Sequence, residues 1–234
     1  MAKKIISSIV FVIMLASLMI IILGFSLKHA AFNEKFYKKE FVKYGVYEKL
    51  DGYDIEAINK DVLGYLRKEN INIISGDFFN GREKDHLLDV RVLVNNILLA
   101  YHVSIFLFFI LIFILAAMLD FDFKKLLSAI AKVILLGSLS AIFLALMLFF
   151  ASSMGFEAVF QKFHETFFAQ GTFLFNPDFE KIVVLYPENL FFDLLERAIS
   201  LVVLSSGIAA LLSAGIIWRD FFKKFSKNFR RKTV

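Results

Sequence analysis

The chain has 234 residues, 59% of them hydrophobic, and a mean hydropathy of +0.69, which excludes an ordinary soluble domain that must show water a charged surface. A net charge of +5 raises the question of nucleic acid, but seven basic residues lie between Arg219 and Lys232, directly after the last apolar run. Such a tail reads as an anchor on anionic headgroups, with no nucleic acid as partner, and the absence of cysteine excludes disulfides, thiolate metal sites and a cysteine nucleophile.

Four runs lack Asp, Glu, Lys and Arg: Ile5 to Leu27, Val92 to Leu119, Val133 to Gly155 and Ala198 to Trp218. Each reaches the roughly 20 residues that cross about 30 Å of hydrocarbon as a helix. The predicted fold is therefore an all-α integral membrane protein, four transmembrane helices capped by a mostly helical extracytoplasmic domain. Its predicted parts are a signal-anchor span over 1–27, an outer segment over 28–98, a second span over 99–119 and a cytoplasmic loop over 120–132. A third span over 133–155, a second outer segment over 156–197, a fourth span over 198–218 and a basic cytoplasmic tail over 219–234 follow. Run length favours a retained anchor over a cleaved signal at the N-terminus. Lys3, Lys4, Lys124, Lys125, Lys132 and the tail place both termini in the cytoplasm of a multi-pass cell-membrane protein, and both longer segments outside.

In the first outer segment Phe32, Phe36, Tyr37, Phe41, Tyr44 and Tyr47 recur at helical spacing, which predicts an amphipathic helix on the leaflet or over the bundle. Asp54 is a plausible N-cap for a second helix through Leu66 that stops near Asn70. Ile71 to Ile74 reads as a short strand or extended chain, and a helix carrying His86 and Asp89 then leads into the second span. Beyond the third span, 157–168 reads as a helix with His164 on it, ended by Gln170-Gly171-Thr172. Phe175-Asn176-Pro177-Asp178 reads as a turn, and Pro187 as the first residue of the last helix.

The chemistry concentrates at two histidines on the predicted outer face. Glu83 and Asp89 stand three residues either side of His86, on its helical face, where a carboxylate would orient the ring and raise its basicity. Glu165, next to His164, points away on a helix, so Asp178 or Glu188 would have to reach that ring through the fold. His29 and His102, near span ends, read as interfacial packing residues. Phe160, Phe163, Phe167, Phe168, Phe173 and Phe175 are either packing and lipid-facing residues or the lining of an acyl-chain groove. No Gly-x-Ser-x-Gly elbow, His-Glu-x-x-His helix, phosphate loop or His-x4-Asp pattern is present. Two histidines and a carboxylate would suit zinc, which leaves a metal site open.

Around these histidines the sequence resembles the bacterial lipoprotein intramolecular transacylase family. The matching residues are Glu83, Lys84, His86, Asp89 and Val90, then Phe163-His164-Glu165, Phe167-Phe168, Leu174-Phe175, Pro177 and Leu185 through Phe192. Phe173-Leu174-Phe175 stands where the family pattern has Trp-Leu-Phe, which keeps the aromatic and loses an indole donor. The resemblance implies a four-span acyltransferase that moves the sn-2 acyl chain of a lipoprotein's diacylglyceryl group to the α-amine of its N-terminal cysteine, leaving a lyso-form lipoprotein. It implies a diacylated lipoprotein substrate among membrane lipids, no cofactor and no metal. His164 would be the general base and His86 the acid or oxyanion stabiliser, or the reverse, with Glu83 or Asp89 orienting His86 and Glu165, Asp178 and Glu188 in support. A membrane-embedded metal-dependent lipid or peptide hydrolase and a non-enzymatic assembly factor are the alternatives.

Overall fold

The computed structural model describes residues 2–68, 77–168 and 171–232, with side chains for those between Ile5 and Arg219 and for Phe221. In chain order they form α1 (Ala2–Ala31), α2 (Glu34–Lys43), α3 (Val46–Lys49), α4 (Ile55–Leu66), α5 (Gly81–Met118), α6 (Phe123–Met154), α7 (Phe156–Phe167), α8 (Ile182–Leu185) and α9 (Glu188–Lys232), with no strand among the described residues. The four apolar runs lie on α1, α5, α6 and α9, each long and apolar enough to cross a membrane. Ile71 to Ile74, Asn70 and Gln170 lie outside the described residues. The chain divides into two units, one made of 27–99 and 147–199, the other of 1–26, 100–146 and 200–234.

Capping side chains start α2 and α4. Asn33 accepts the Phe36 N–H and Asp54 the Ala57 N–H, each satisfying a donor the first turn would leave bare. The aromatic stripe does not run as one helix, because Gly45 adopts a left-handed φ of 63° between α2 and α3. Its rings turn inward: Phe36, Tyr37, Phe41 and Val46 form one core with Ile55, Leu63 and Tyr65 of α4, Phe78, Phe79, Leu185 and Leu190. The sequence suggested one amphipathic helix on the leaflet or over the bundle; the stripe is instead divided between elements that pack a core.

Polar ties fix this core's edges. Asp193 of α9 accepts from both Lys43 and the Tyr44 hydroxyl, and burial, with a hydrogen bond to Asp193, pushes the neighbouring Glu40 carboxyl above its ordinary value. Asn95 of α5 donates to the Leu66 carbonyl at 3.0 Å, which satisfies a C-terminal carbonyl of α4. Pro187 precedes the first residue of α9 instead of occupying it, and its carbonyl accepts the Leu190 N–H.

The second unit packs Val10 and Met14 of α1 on Leu111 and Leu115 of α5 and Val133 of α6. Lipid tails are as apolar as these side chains, so helix association there depends on close fit, and small residues let backbones approach. A Cβ added at Gly24 would lie 2.8 Å from Cβ of Tyr101, an atom fixed to the α5 backbone. At Gly137 the obstacle is Cδ2 of Leu18, the far end of a flexible side chain. Gly24→Ala is expected to lower stability by about 1–3 kcal/mol, as overpacking does, and Gly137→Ala by clearly less. Thermal unfolding in detergent micelles tests this; equal losses would show that the α1–α5 contact is not the tighter one.

Candidate active site

The beginning of α5 is fixed by a reciprocal capping box. The Glu83 N–H donates to Oδ1 of Asn80 at 3.0 Å, and the Asn80 N–H donates to Oε2 of Glu83 at 2.6 Å. The other Glu83 oxygen accepts the Ile182 N–H at 2.7 Å, so one carboxylate, 1% exposed, ties the start of α8 to the start of α5. His86 follows one turn later, ahead of the charge-free run that begins at Val92. The residue is 7% exposed, and among the described residues no group hydrogen-bonds its Nδ1.

The His164 ring of α7 lies 6.1 Å from that of His86, centroid to centroid, with the planes 20° apart. Phenylalanines enclose the pair. Phe168 and Phe175 meet His86 edge-on at 4.9 and 5.3 Å, while Phe160 and Phe173 lie 4.2 and 5.3 Å from His164. Phe163 and Phe167 are partly to largely exposed on α7. Rings from the aromatic group thus wall the two imidazoles, and α7 itself buries no side chain fully.

The two rings have different surroundings. His164 Nδ1 stands 2.7 Å from the Phe160 carbonyl; a carbonyl only accepts, so the neutral ring carries its proton on Nδ1 and leaves the Nε2 lone pair free. Burial, followed by the charge His164 would carry, pushes His86 down to about 4. His86 is thereby held in its neutral form.

The carboxylates named from sequence fall in different places. Glu83 does not orient the His86 ring, because both its oxygens are committed to backbone N–H groups, and no hydrogen bond joins half-buried Asp89 to His86 among the described residues. Glu165 pairs with Gln161 and Lys162 of its own helix. Asp178 is an exposed residue of the turn, its N–H bonded to the Asn176 side chain. Glu188, the first residue of α9, is the carboxylate that feels His164: burial and the Glu157 charge raise its pKa, and His164 lowers it. Among the described residues, no three His, Cys, Asp or Glu side chains are arranged to hold a metal ion.

The sequence reading gave no role to Arg82 or Glu180. Arg82 donates to Oε1 of Glu180 at 2.7 Å and to the Leu174 carbonyl at 2.9 Å, and the other Glu180 oxygen accepts the Asn176 N–H at 2.7 Å. The Asn80-x-x-Glu83 spacing is a local capping signal that the expectation of an orienting Glu83 passed over; an ion pair spanning 98 residues leaves no such signal.

These features define a multi-pass, all-helical membrane protein with a phenylalanine-walled pair of histidines in one of its two units. The sequence pattern of the family described as lipoprotein intramolecular transacylase Lit matches residues 12–192. The chain belongs to that family and is accordingly an acyltransferase. Its fold is similar to the membrane-integral lipoprotein intramolecular transacylase Lit from Bacillus cereus, with a TM-score of 0.78 at 15% identity over 94% of this chain and 99% of that one. Variants of the same protein with one histidine changed to arginine or to alanine each give a TM-score of 0.75 at 15% identity over 94% of this chain, and cover 96% and 97% of theirs. No curated protein sequence matches the chain.

Lowering of the His86 pKa has a sign in stability. Between about pH 6.5 and 4 the unfolded chain takes up a proton that folded His86 refuses, so folding stability falls as pH drops through that window and the loss is complete below about 4. The contribution is on the order of 3 kcal/mol. Unfolding midpoints in micelles at pH 7, 5.5 and 4 should decline for the native protein and decline less for His86→Asn; parallel profiles would mean that His86 is not held neutral by burial.

Proposed function

We propose that the chain moves the sn-2 acyl group of a diacylated lipoprotein onto the α-amine of that lipoprotein's N-terminal cysteine, by histidine acid–base catalysis at the outer leaflet. The family supports acyl transfer within a lipoprotein, and the histidine pair is the observation that carries the mechanism. The basic flanks of the apolar runs support a cytoplasmic location for both termini. His86 then lies six residues, roughly 9 Å along a helix, beyond the charge-free run on the outer side.

Amine and ester belong to one molecule, so positioning contributes on the order of 7 to 11 kcal/mol and no enzyme nucleophile is required. The amine nitrogen attacks the ester carbonyl as Nε2 of His164 takes its proton, and the C–N bond forms. When the tetrahedral intermediate collapses, the C–O bond to glycerol breaks and the same proton passes from His164 to the departing oxygen, which becomes the free 2-hydroxyl. The products are an amide and a lyso-form lipoprotein, with no net proton change. A neutral His86 still has one N–H to donate and serves as a stabiliser of the oxyanion, as neutral imidazole can in a site that disfavours its cation. Glu188 interacts electrostatically with His164 and is the carboxylate assigned a supporting role there.

His164→Ala should lower lyso product by about 10²- to 10⁴-fold, and His86→Ala by about 10²- to 10³-fold, read by mass spectrometry of a reporter lipoprotein's N-terminus. Unchanged product in either variant would remove that residue from the mechanism. A chelator should leave the rate of the purified enzyme unchanged; loss restored by zinc would favour the metal-dependent hydrolase instead.

A further inference from the structure

The Arg82 side chain at the start of α5 reaches across to the segment that walls the histidines, and its acceptors among the described residues lie on that segment. The Arg82 guanidinium reaches Glu180 at 2.7 Å, the Leu174 carbonyl at 2.9 Å and the Gly171 carbonyl at 3.4 Å. Its Cζ lies 5.5 Å from the Phe175 ring centroid. Glu180 is buried, and its second oxygen holds the Asn176 N–H, so the ion pair organises both ends of a loop that contains no helix or strand. Within this loop Leu174 is exposed, while the residues on either side of it reach inward, Phe173 to His164 and Phe175 to His86.

We propose that Arg82 is a positioning residue of the histidine pair, holding the 171–180 loop so that Phe173 and Phe175 keep the two imidazoles walled and aligned. It acts through the loop and not on the substrate. The geometry gives the reason for arginine: two nitrogens of its planar fork serve a carboxylate and a carbonyl in fixed directions, a spread that the single ammonium nitrogen of lysine does not reproduce. A displacement of about 1 Å at a catalytic group costs on the order of 10²-fold in rate, so a loop anchor four residues from His86 can govern turnover without touching the reaction.

This inference rests on the histidine-pair reading of function, and one of its tests is independent of activity. Purified protein in micelles is treated at pH 7 with diethyl pyrocarbonate, and modification of each histidine is timed by mass spectrometry, with exposed His29 as internal reference. Arg82→Ala and Phe175→Ala should each speed modification of His86 several-fold while His29 is unchanged. With a synthetic diacylated lipopeptide, Arg82→Ala should lower kcat about 10- to 100-fold and change KM by less than about threefold. Arg82→Lys should recover only part of that loss, and Arg82→Ala combined with Glu180→Gln should lose little more than Arg82→Ala alone. If Arg82→Ala unfolds, Arg82→Lys and Phe175→Ala carry the same comparison. Unchanged His86 labelling in the folded variants overturns the positioning role, and so does faster labelling with an unaltered kcat. Lyso product that persists in His86→Ala and His164→Ala overturns the functional reading instead, whatever the labelling shows.

Discussion

The position of the histidine pair depends on the Glu83 carboxylate. A helix as long and apolar as α5 has no intrinsic reason to begin at one residue rather than another, and its first N–H groups need partners wherever it begins. Asn80 and Glu83 supply them reciprocally, and this sets His86 one turn into the helix. The same side chain then accepts the first free N–H of α8. Burying a carboxylate is costly unless its lone pairs are used. Here that requirement makes one residue specify both where α5 starts and where a segment 99 positions later docks.

Two like residues at one site are made unlike by their neighbours. His164 sits half-exposed on an amphipathic helix with one nitrogen pinned to a carbonyl, which fixes its tautomer and frees the other nitrogen. His86 is enclosed by α5, Phe168 and Phe175, and the enclosure disfavours its cation. Proximity reinforces the difference, since a charge on either ring opposes a charge on the other. Pairs of titratable groups whose environments push them apart are the usual basis for separate acid and base roles. Within the proposed reaction, a His86 kept neutral by burial suits the oxyanion-stabilising role.

Legibility in the sequence followed the range of the interaction. The apolar runs, the Asp54 cap, the helix around His164 and the continuity of the His86 helix with an apolar run are local patterns, and the helices formed where those patterns lie. The aromatic stripe from Phe32 to Tyr47 was legible as helical, but its destination was not, because spacing tells which residues share a face and not what covers it. Glu83 shows the same limit at the site. At i−3 from His86 it had the spacing of an orienting carboxylate, and the nearer claim of two backbone N–H groups took it instead. Arg82, Glu180 and the inward turn of Phe173 and Phe175 depend on pairings across the chain, for which a single sequence holds no signal.

The phenylalanine wall gains a chemical meaning from the proposed reaction. Acyl transfer to an amine competes with transfer to water, and a site at headgroup depth borders on bulk solvent. Histidine activates water as readily as it activates an amine, so its chemistry alone gives no preference for transfer over hydrolysis. Exclusion of water does. On the proposed reaction, a ring at each side of the pair would limit the access of water and lower the local dielectric around His86. Phe168 contacts both imidazoles, at 4.9 Å for His86 and 5.4 Å for His164, where a small polar residue would leave the pair open to water. On this reading the aromatic residues select the acceptor while the histidines supply the proton traffic, and neither set suffices without the other.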